Sequence, residues 1–252
     1  MRMLVSVLAI LPALWFAPPA LAAGDEVECV ILLHGLARSQ RSMSDIKDAL
    51  LESGYRVWSE TYASRTETVA SLAQSTLSAG LAYCREQGAT RVHMVSHSLG
   101  GLVIRVYRQD HEVKNLGRIV MLAPPNHGSE VADVLKDNSL YEWAMGPVGQ
   151  ELGTGENDLA NRLKPIPGEI GVIAGNETSD PWFSPIIPGP DDGKVSVAST
   201  HLEEMKDFRE VEAGHTFIMR NPQVIEQVLN FLRDGAFKDL PPSRDSLDLR
   251  DR

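Results

Sequence analysis

The chain has 252 residues, of which 43% are hydrophobic and 23% charged, a composition that indicates an ordinary globular protein and excludes disordered and fibrous classes. It is long enough for one α/β domain with a large core. Its formal net charge of −10 disfavours nucleic acids and anionic membrane surfaces as partners, because both would be repelled. The two cysteines and seven histidines show no metal-ligand spacing, so we expect no metal site.

Residues 1–22 have the pattern of a secretory signal peptide. Arg2 supplies a positive start, Leu4–Phe16 is apolar, and Ala20–Ala22 fits the small-x-small rule for cleavage. A membrane anchor is the alternative, but prolines interrupt this stretch and it is short for a membrane span. No other segment has transmembrane character. We therefore expect an exported protein, periplasmic or extracellular, whose domain comprises residues 23–238.

The first strong strand and the first long helix each contain a cysteine. Val27–Leu33 is apolar and carries Cys29 near its start, while Thr68–Arg85 has apolar residues at helical spacing and Cys84 near its end. Two buried free thiols are one possibility. We favour a disulfide, because an exported protein meets oxidising conditions and both positions are expected at the same edge of the sheet.

Further strand and helix patterns follow along the rest of the chain. We predict further strands over Tyr55–Thr61, Gly117–Ala123 and Ile170–Ala174, and helices over Ser44–Ser53 and after Asn221, where a cap residue precedes Pro222.

The segment Val92–Gly101 combines a strand, a sharp turn and the start of a helix. An apolar run ends in Ser96-His97-Ser98-Leu99-Gly100, and a helix is predicted over Leu102–Asp110. The five residues differ by one substitution from Gly-x-Ser-x-Gly, a turn that needs small residues two positions either side of the serine. A serine cap of an ordinary helix is the alternative.

This turn resembles the nucleophile elbow of the α/β-hydrolase superfamily, in particular its lipase and esterase branch. The resemblance implies an α/β fold with a mostly parallel central sheet, helices on both faces and a small cap insertion. It also makes Ser98 the catalytic nucleophile. In lipases a His-Gly pair follows a central strand, and His34-Gly35 matches it, so the N–H groups of Leu36 and Leu99 are the expected oxyanion hole.

The same resemblance indicates the other two members of a catalytic triad. Lipases often carry the acid in an Asp-Gly-x-Val element, which matches Asp192, and the base in a loop before the last helix, which matches His215. Asp191 is the neighbouring alternative. We expect it to face solvent or cap the turn, while Gly193 lets the backbone return into a strand at Val195–Val197.

The region between the strands ending near 123 and beginning near 170 is predicted as a cap insertion, about residues 131–165. Its apolar Trp143 and Met145 are candidates to contact acyl chains, although a plain surface helix and loop is equally compatible. The preceding loop partly resembles a lipase loop, but the register of His127 departs from that pattern, so it receives no catalytic role. The polar tail, residues 239–252, is expected to be disordered.

These features predict an exported serine carboxylic ester hydrolase of the lipase or esterase type. It would act on an acyl ester or lipid substrate through an acyl-enzyme, without a cofactor. A lipid acyltransferase or lipid deacylase with the same triad is the alternative. A binding protein on a hydrolase scaffold is disfavoured, because such proteins commonly lose a triad residue. The sequence does not predict the oligomeric state.

Overall fold

A computed structural model describes residues 26–178 and 182–239 of the chain. The predicted signal peptide and nearly all of the predicted tail lie outside these residues. None of the helices in the described ranges has the length and apolar character needed to cross a membrane.

The described residues form one six-stranded sheet in which every neighbouring pair is parallel. The strand order is β2-β1-β3-β4-β5-β6. Parallel strands bring all their carboxyl ends to one edge, where ligands bind in open α/β sheets. The strands are β1 (Glu28–Leu33), β2 (Arg56–Trp58), β3 (Arg91–His97), β4 (Leu116–Leu122), β5 (Glu169–Gly175) and β6 (Asp207–Val211).

Alternate residues of the central strands enter two separate hydrophobic cores. In β1, Cys29, Ile31 and Leu33 face one core, while Val30 and Leu32 face the other. This alternation follows from the period of two in an extended chain. Because both faces are covered, the strand is apolar throughout rather than alternating with polar residues.

Helices cover both faces of the sheet. The helices α2 and α3 pack on one face, and α1 and α8 pack on the other. The helices are α1 (Ser44–Glu52), α2 (Val69–Glu86), α3 (Leu99–Asp110), α4 (Glu130–Leu135), α5 (Ser139–Gln150), α6 (Leu159–Arg162), α7 (Val197–Thr200) and α8 (Pro222–Asp234).

Asn221 and Gly80 show how single residue types shape the helices. Asn221 caps α8 by accepting a hydrogen bond from the N–H of Gln223, as the Asn-Pro pair predicts. Gly80 in α2 lies so close to β1 that a Cβ atom there would be 3.0 Å from the Ile31 side chain. The small residue therefore allows the helix to pack closely on the sheet.

Cys29 and Cys84 form a disulfide, as predicted. Cys29 pairs in register with Val92 of β3, and the helix that feeds β3 ends just after Cys84. The bond therefore joins β1 to the end of α2 at the amino-terminal edge of the sheet, away from the carboxyl ends of the strands.

Three predicted boundaries are wrong. The strand near residue 55 is shorter than predicted and spans only Arg56–Trp58. The helix after the elbow begins at Leu99, three residues early, because Ser98 is itself the residue that precedes the first turn. Val195–Val197 is not a strand. It leads directly into α7, which begins because the Ser196 side chain accepts a hydrogen bond from the N–H of Ser199.

Candidate active site

Ser98 lies in a strained turn between β3 and α3. Its φ of 52° and ψ of −120° are unusual for a residue with a side chain, and such strain clusters at functional sites. A Cβ atom on Gly100 would lie 2.9 Å from the Cβ of Leu33 and 3.0 Å from that of Ser96. The turn therefore needs a small residue on both sides of Ser98, which is half-buried and lines a cleft.

His215 connects Ser98 to Asp192. Its Nε2 is 2.9 Å from the Oγ of Ser98, and its Nδ1 is 2.7 Å from the Oδ2 of Asp192. A carboxylate can only accept, so Nδ1 carries the hydrogen and Nε2 is left to accept the serine proton. His215 follows β6, and Asp192 lies in the loop after β5. The structure thus brings the three predicted side chains into one hydrogen-bonded chain.

The second oxygen of Asp192 fixes the direction of its carboxylate. Oδ1 accepts hydrogen bonds from the backbone N–H groups of Lys194, at 3.0 Å, and Val195, at 2.8 Å. Asp192 is 2% exposed, so its negative charge is stabilised by these donors and by the imidazole rather than by water.

Asp191 is buried, so the expectation that it faces solvent is wrong, whereas its role as a turn cap is correct. Its Oδ1 accepts hydrogen bonds from the N–H of Gly193, at 2.7 Å, and from the Ser184 hydroxyl, at 2.8 Å. Gly193 has a φ of 93°, as the predicted sharp turn requires. Adjacent carboxylates therefore point in different directions, one towards His215 and one into its own loop.

The loop after β1 lies against the serine. A Cβ atom on Gly35 would be 2.8 Å from the Nδ1 of His97 and 3.3 Å from the Cβ of Ser98, so only glycine permits this approach. Leu36 consequently lines the cleft beside Ser98. Leu99 is the first residue of α3, where a backbone N–H has no partner within the helix and the helix dipole is positive.

His34 and Tyr62 hold this loop by contacts that the sequence did not reveal. The Nδ1 of His34 donates to the carbonyl of Gly35 at 2.8 Å, and its Nε2 accepts from the N–H of Tyr62 at 3.2 Å. The Tyr62 hydroxyl donates to the His34 carbonyl, and the two rings stack 3.8 Å apart. Burial lowers the pKa of His34 and raises that of Tyr62, so both side chains stay neutral.

A second buried histidine supports the loop that carries His215. The Nε2 of His97 donates to the backbone carbonyl of His215 at 3.0 Å, and the ring centroids are 4.9 Å apart. Burial, together with the neighbouring His215, holds the pKa of His97 well below its usual value. This role was not predicted, because in sequence His97 is only the variable position of the elbow motif.

The cleft above Ser98 has a volume of about 210 Å³ and a largely apolar wall. The insertion between β4 and β5 contributes Tyr141 and Met145 to it, the latter as predicted from its sequence position. Trp143 does not line the cleft. It is 75% exposed and borders a neighbouring depression instead. The further apolar side chains in the wall are Leu36, Pro125, Val131, Ala132, Leu135, Leu152, Phe183 and Val195.

His127, to which the sequence analysis assigned no catalytic role, is exposed. Its Nδ1 lies 3.2 Å from the amide oxygen of Asn161. Within residues 26–178 and 182–239 there is no group of three or more His, Cys, Asp or Glu side chains that could hold a metal ion.

A parallel sheet with a strained serine turn at the carboxyl end of β3, followed by an acid and a histidine in later loops, defines the α/β-hydrolase fold, and the chain has this fold. Solved structures agree. The mature form of the Bacillus licheniformis lipase BlEst2 superposes with a TM-score of 0.68 at 18% identity, covering 85% of this chain and 96% of that one.

Two further structures have the same fold. The propeptide form of BlEst2 gives a TM-score of 0.69 at 17% identity over 90% of this chain, which spans only 54% of that longer chain. The Pyrococcus furiosus esterase PF2001 gives 0.60 at 20% identity, covering 83% of this chain and 82% of that one. No family model matches the sequence, and no curated protein matches it either.

Proposed function

We propose that the chain is an exported serine carboxylic ester hydrolase of the lipase or esterase type. One observation carries this proposal: the hydrogen-bonded chain from Ser98 through His215 to a buried Asp192, at the mouth of an apolar cleft. The names of the similar structures, a lipase and an esterase, support the same class of reaction.

The reaction begins with attack of the Ser98 oxygen on the ester carbonyl carbon. The Nε2 of His215 takes the serine proton as the new C–O bond forms, and Asp192 stabilises the resulting imidazolium. When the bond to the alcohol breaks, the same Nε2 gives its proton to the leaving oxygen. An acyl-enzyme on Ser98 remains.

The carbonyl oxygen becomes negative during both steps and needs hydrogen-bond donors. We assign this role to the backbone N–H groups of Leu36 and Leu99, one beside Ser98 in the cleft wall and one at the start of α3. Water, activated by His215, then attacks the acyl carbon and releases the acid. The net reaction is hydrolysis, with no cofactor in any step.

Hydrolysis of a series of p-nitrophenyl esters from short to long acyl chains tests the activity and its chain-length range. We expect turnover by the wild type and its near loss in Ser98→Ala. A Ser44→Ala variant is the matched control and should behave as wild type, because Ser44 is a half-buried serine of α1 whose hydroxyl bonds to Asp45 and to no other described residue. Equal activity of Ser98→Ala and wild type would refute the assignment.

Covalent labelling tests the nucleophile directly. An organophosphonate should attach to Ser98 and to no other serine, in proportion to the activity lost. A label found elsewhere by peptide mass spectrometry, or an active enzyme that remains unlabelled, would contradict the proposal.

Export is tested separately. Cell fractionation should place the full chain outside the cytoplasm, with a mature amino terminus near Ala23, while a chain that lacks residues 1–22 stays in the cytoplasm. An uncleaved chain in the cytoplasm would remove export from the proposal and leave the reaction unaffected.

A further inference from the structure

A polar depression adjoins the apolar cleft at the loop after β1. It has a volume of about 470 Å³ and is lined by the loop segment Ala37–Arg38, by Tyr62–Thr66 and by Trp143 of α5. Arg38 lines both the depression and the cleft. The depression therefore borders the cleft that Ser98 lines, and Arg38 is the residue they have in common.

The two arginines of the depression have guanidinium donors available for a ligand. Arg38 makes one side-chain hydrogen bond in the described part of the chain, from Nη2 to the backbone carbonyl of Thr216 at 3.3 Å. The Arg65 side chain is exposed and makes neither a hydrogen bond nor an ion pair with any described residue. Glu67, the acidic residue nearest to it in sequence, accepts a hydrogen bond from Ser71 instead.

The charge of these two cavities is opposite to that of the whole protein. The chain contains 34 acidic and 24 basic residues, yet Arg38 and Arg65 line the depression, Arg38 also lines the cleft, and no described acidic side chain lines either. A cationic wall in an acidic protein attracts a small anionic group to this position, although the overall charge still repels an extended anionic surface.

We propose that the depression binds an anionic group, a carboxylate or a phosphate, on the alcohol part of the ester substrate. The inference rests on the proposed ester hydrolysis and adds the substrate class. Guanidinium groups match carboxylate and phosphate oxygens in geometry as well as in charge. Ser64 also lines the depression, and its hydroxyl, which accepts a hydrogen bond from the N–H of Ala37, keeps its own proton as a further donor.

The assignment to the alcohol part follows from the two cavities. The acyl chain of an ester attacked by Ser98 fits the cleft, whose wall is mostly apolar. The alcohol part must then extend elsewhere from the reacting carbon. The depression shares Arg38 with the cleft, and it offers the positive charge of two arginines beside the apolar contact of Trp143.

A pair of matched esters tests this inference. One is ortho-nitrophenyl octanoate, and the other is the same ester with a carboxylate on the nitrophenyl ring, which makes the alcohol part anionic. The difference in leaving-group reactivity between the two esters is the same for every variant, so it cancels when their ratio is compared between variants. The ratio of kcat/KM for the anionic ester to that for the neutral ester is measured for wild type, Arg38→Gln and Arg65→Gln. Mono-octanoylglycerol and its phosphate form a second pair, which compares phosphate with carboxylate recognition.

Arg41→Gln is the matched control. Arg41 is exposed and close to Arg38 in sequence, and it lines neither cavity, so its loss changes the net charge equally without touching the depression. We expect the ratio to fall about tenfold in Arg65→Gln and at least as much in Arg38→Gln, and to stay within twofold of wild type in Arg41→Gln. Added salt should lower the wild-type ratio in the same direction.

The outcomes separate the two proposals. If wild type hydrolyses neither ester, the proposed function fails. If it hydrolyses both but the ratio is the same in all variants, or falls equally in Arg41→Gln, hydrolysis stands and the anionic subsite is refuted. A loss confined to the carboxylate pair or to the phosphate pair identifies which anion is bound.

Discussion

Replacing Asp192 by asparagine should abolish most activity while leaving the backbone of its loop in place. The amide oxygen can still accept from the N–H groups of Lys194 and Val195, as Oδ1 does now. The amide nitrogen then faces the Nδ1 of His215 and donates to it. His215 must move its hydrogen to Nε2, which faces Ser98, and so it can no longer accept the serine proton.

The size of the loss follows from this wrong tautomer. Loss of the orienting carboxylate in a serine triad lowers kcat on the order of 10⁴-fold in the well-studied proteases. That factor equals about 5.4 kcal/mol in the barrier, at about 1.36 kcal/mol for each tenfold change. We expect a loss of kcat of similar size here, because Asp192 is almost fully buried and its charge is what stabilises the imidazolium.

The assay is kcat on a p-nitrophenyl ester, with Asp191→Asn as the control. Asp191 is equally an acceptor of two hydrogen bonds in the same loop, from Gly193 and Ser184, but it does not contact His215. We expect Asp191→Asn to retain at least a tenth of the wild-type kcat. The reasoning is refuted if Asp192→Asn, shown to be folded by thermal unfolding, keeps a similar fraction, or if Asp191→Asn suffers the larger loss.

Three further predictions concern stability and the cleft. Burial lowers the pKa of three histidines, His34, His93 and His97, so below pH ~6.5 the unfolded chain binds more protons than the folded chain. The free energy of unfolding, measured in urea, should therefore decrease as the pH falls, by up to about 1.4 kcal/mol per pH unit for each of these histidines. The free energy of unfolding should decrease less steeply with falling pH in His97→Asn than in wild type, and an unchanged slope would contradict this prediction. Replacing Cys29 and Cys84 by alanine opens a link across a sequence separation of 55 and should lower the free energy of unfolding by up to about 4 kcal/mol, while reduction of the wild type should add two hydrogens to its intact mass. Met145→Ala should raise KM for long-chain esters several-fold, because Met145 lines the cleft, whereas Leu140→Ala, an exposed neighbour outside the cleft, should not.

The positions of Ser98, Asp192 and His215 could be predicted because each depends on local sequence at the end of a strand. In a parallel sheet all such ends lie at one edge, so three short motifs in the right order are sufficient to place the side chains near one another. The strands before Ser98 and Asp192, β3 and β5, are almost entirely buried, which makes their apolar runs easy to recognise. The strand before His215, β6, lies at the edge of the sheet and is only partly buried, so its polar sequence gives no such signal.

The contacts that support the site could not be predicted, because they join residues far apart in sequence. Tyr62 binds His34 across 28 positions, and His97 binds the carbonyl of His215 across 118. No local sequence pattern around His34 or His97 indicates which distant residue it contacts.

The insertion was harder to predict for another reason. Its longest helix, α5, is broken by Gly146, whose φ of 67° is not helical, and by the following Pro147. Trp143 and Met145 both precede this kink and are two positions apart, so they lie on different sides of the same helical segment. Met145 lines the cleft and Trp143 does not, and which side faces the cleft is set by the packing of α5, a contact between residues far apart in sequence.

Three histidines lie close to the proposed reaction, and the structure distinguishes their roles by their partners. Of these three, only His215 contacts a carboxylate. His34 and His97 contact backbone groups, and burial lowers the pKa of both. At neutral pH those two rings are uncharged and act as fixed hydrogen-bond donors. A charge on His97, with its ring centroid 4.9 Å from that of His215, would oppose the imidazolium that forms when Ser98 gives up its proton. Burial of His97 therefore leaves one histidine free to take and return the proton, while the others hold the two loops between which the ester must fit.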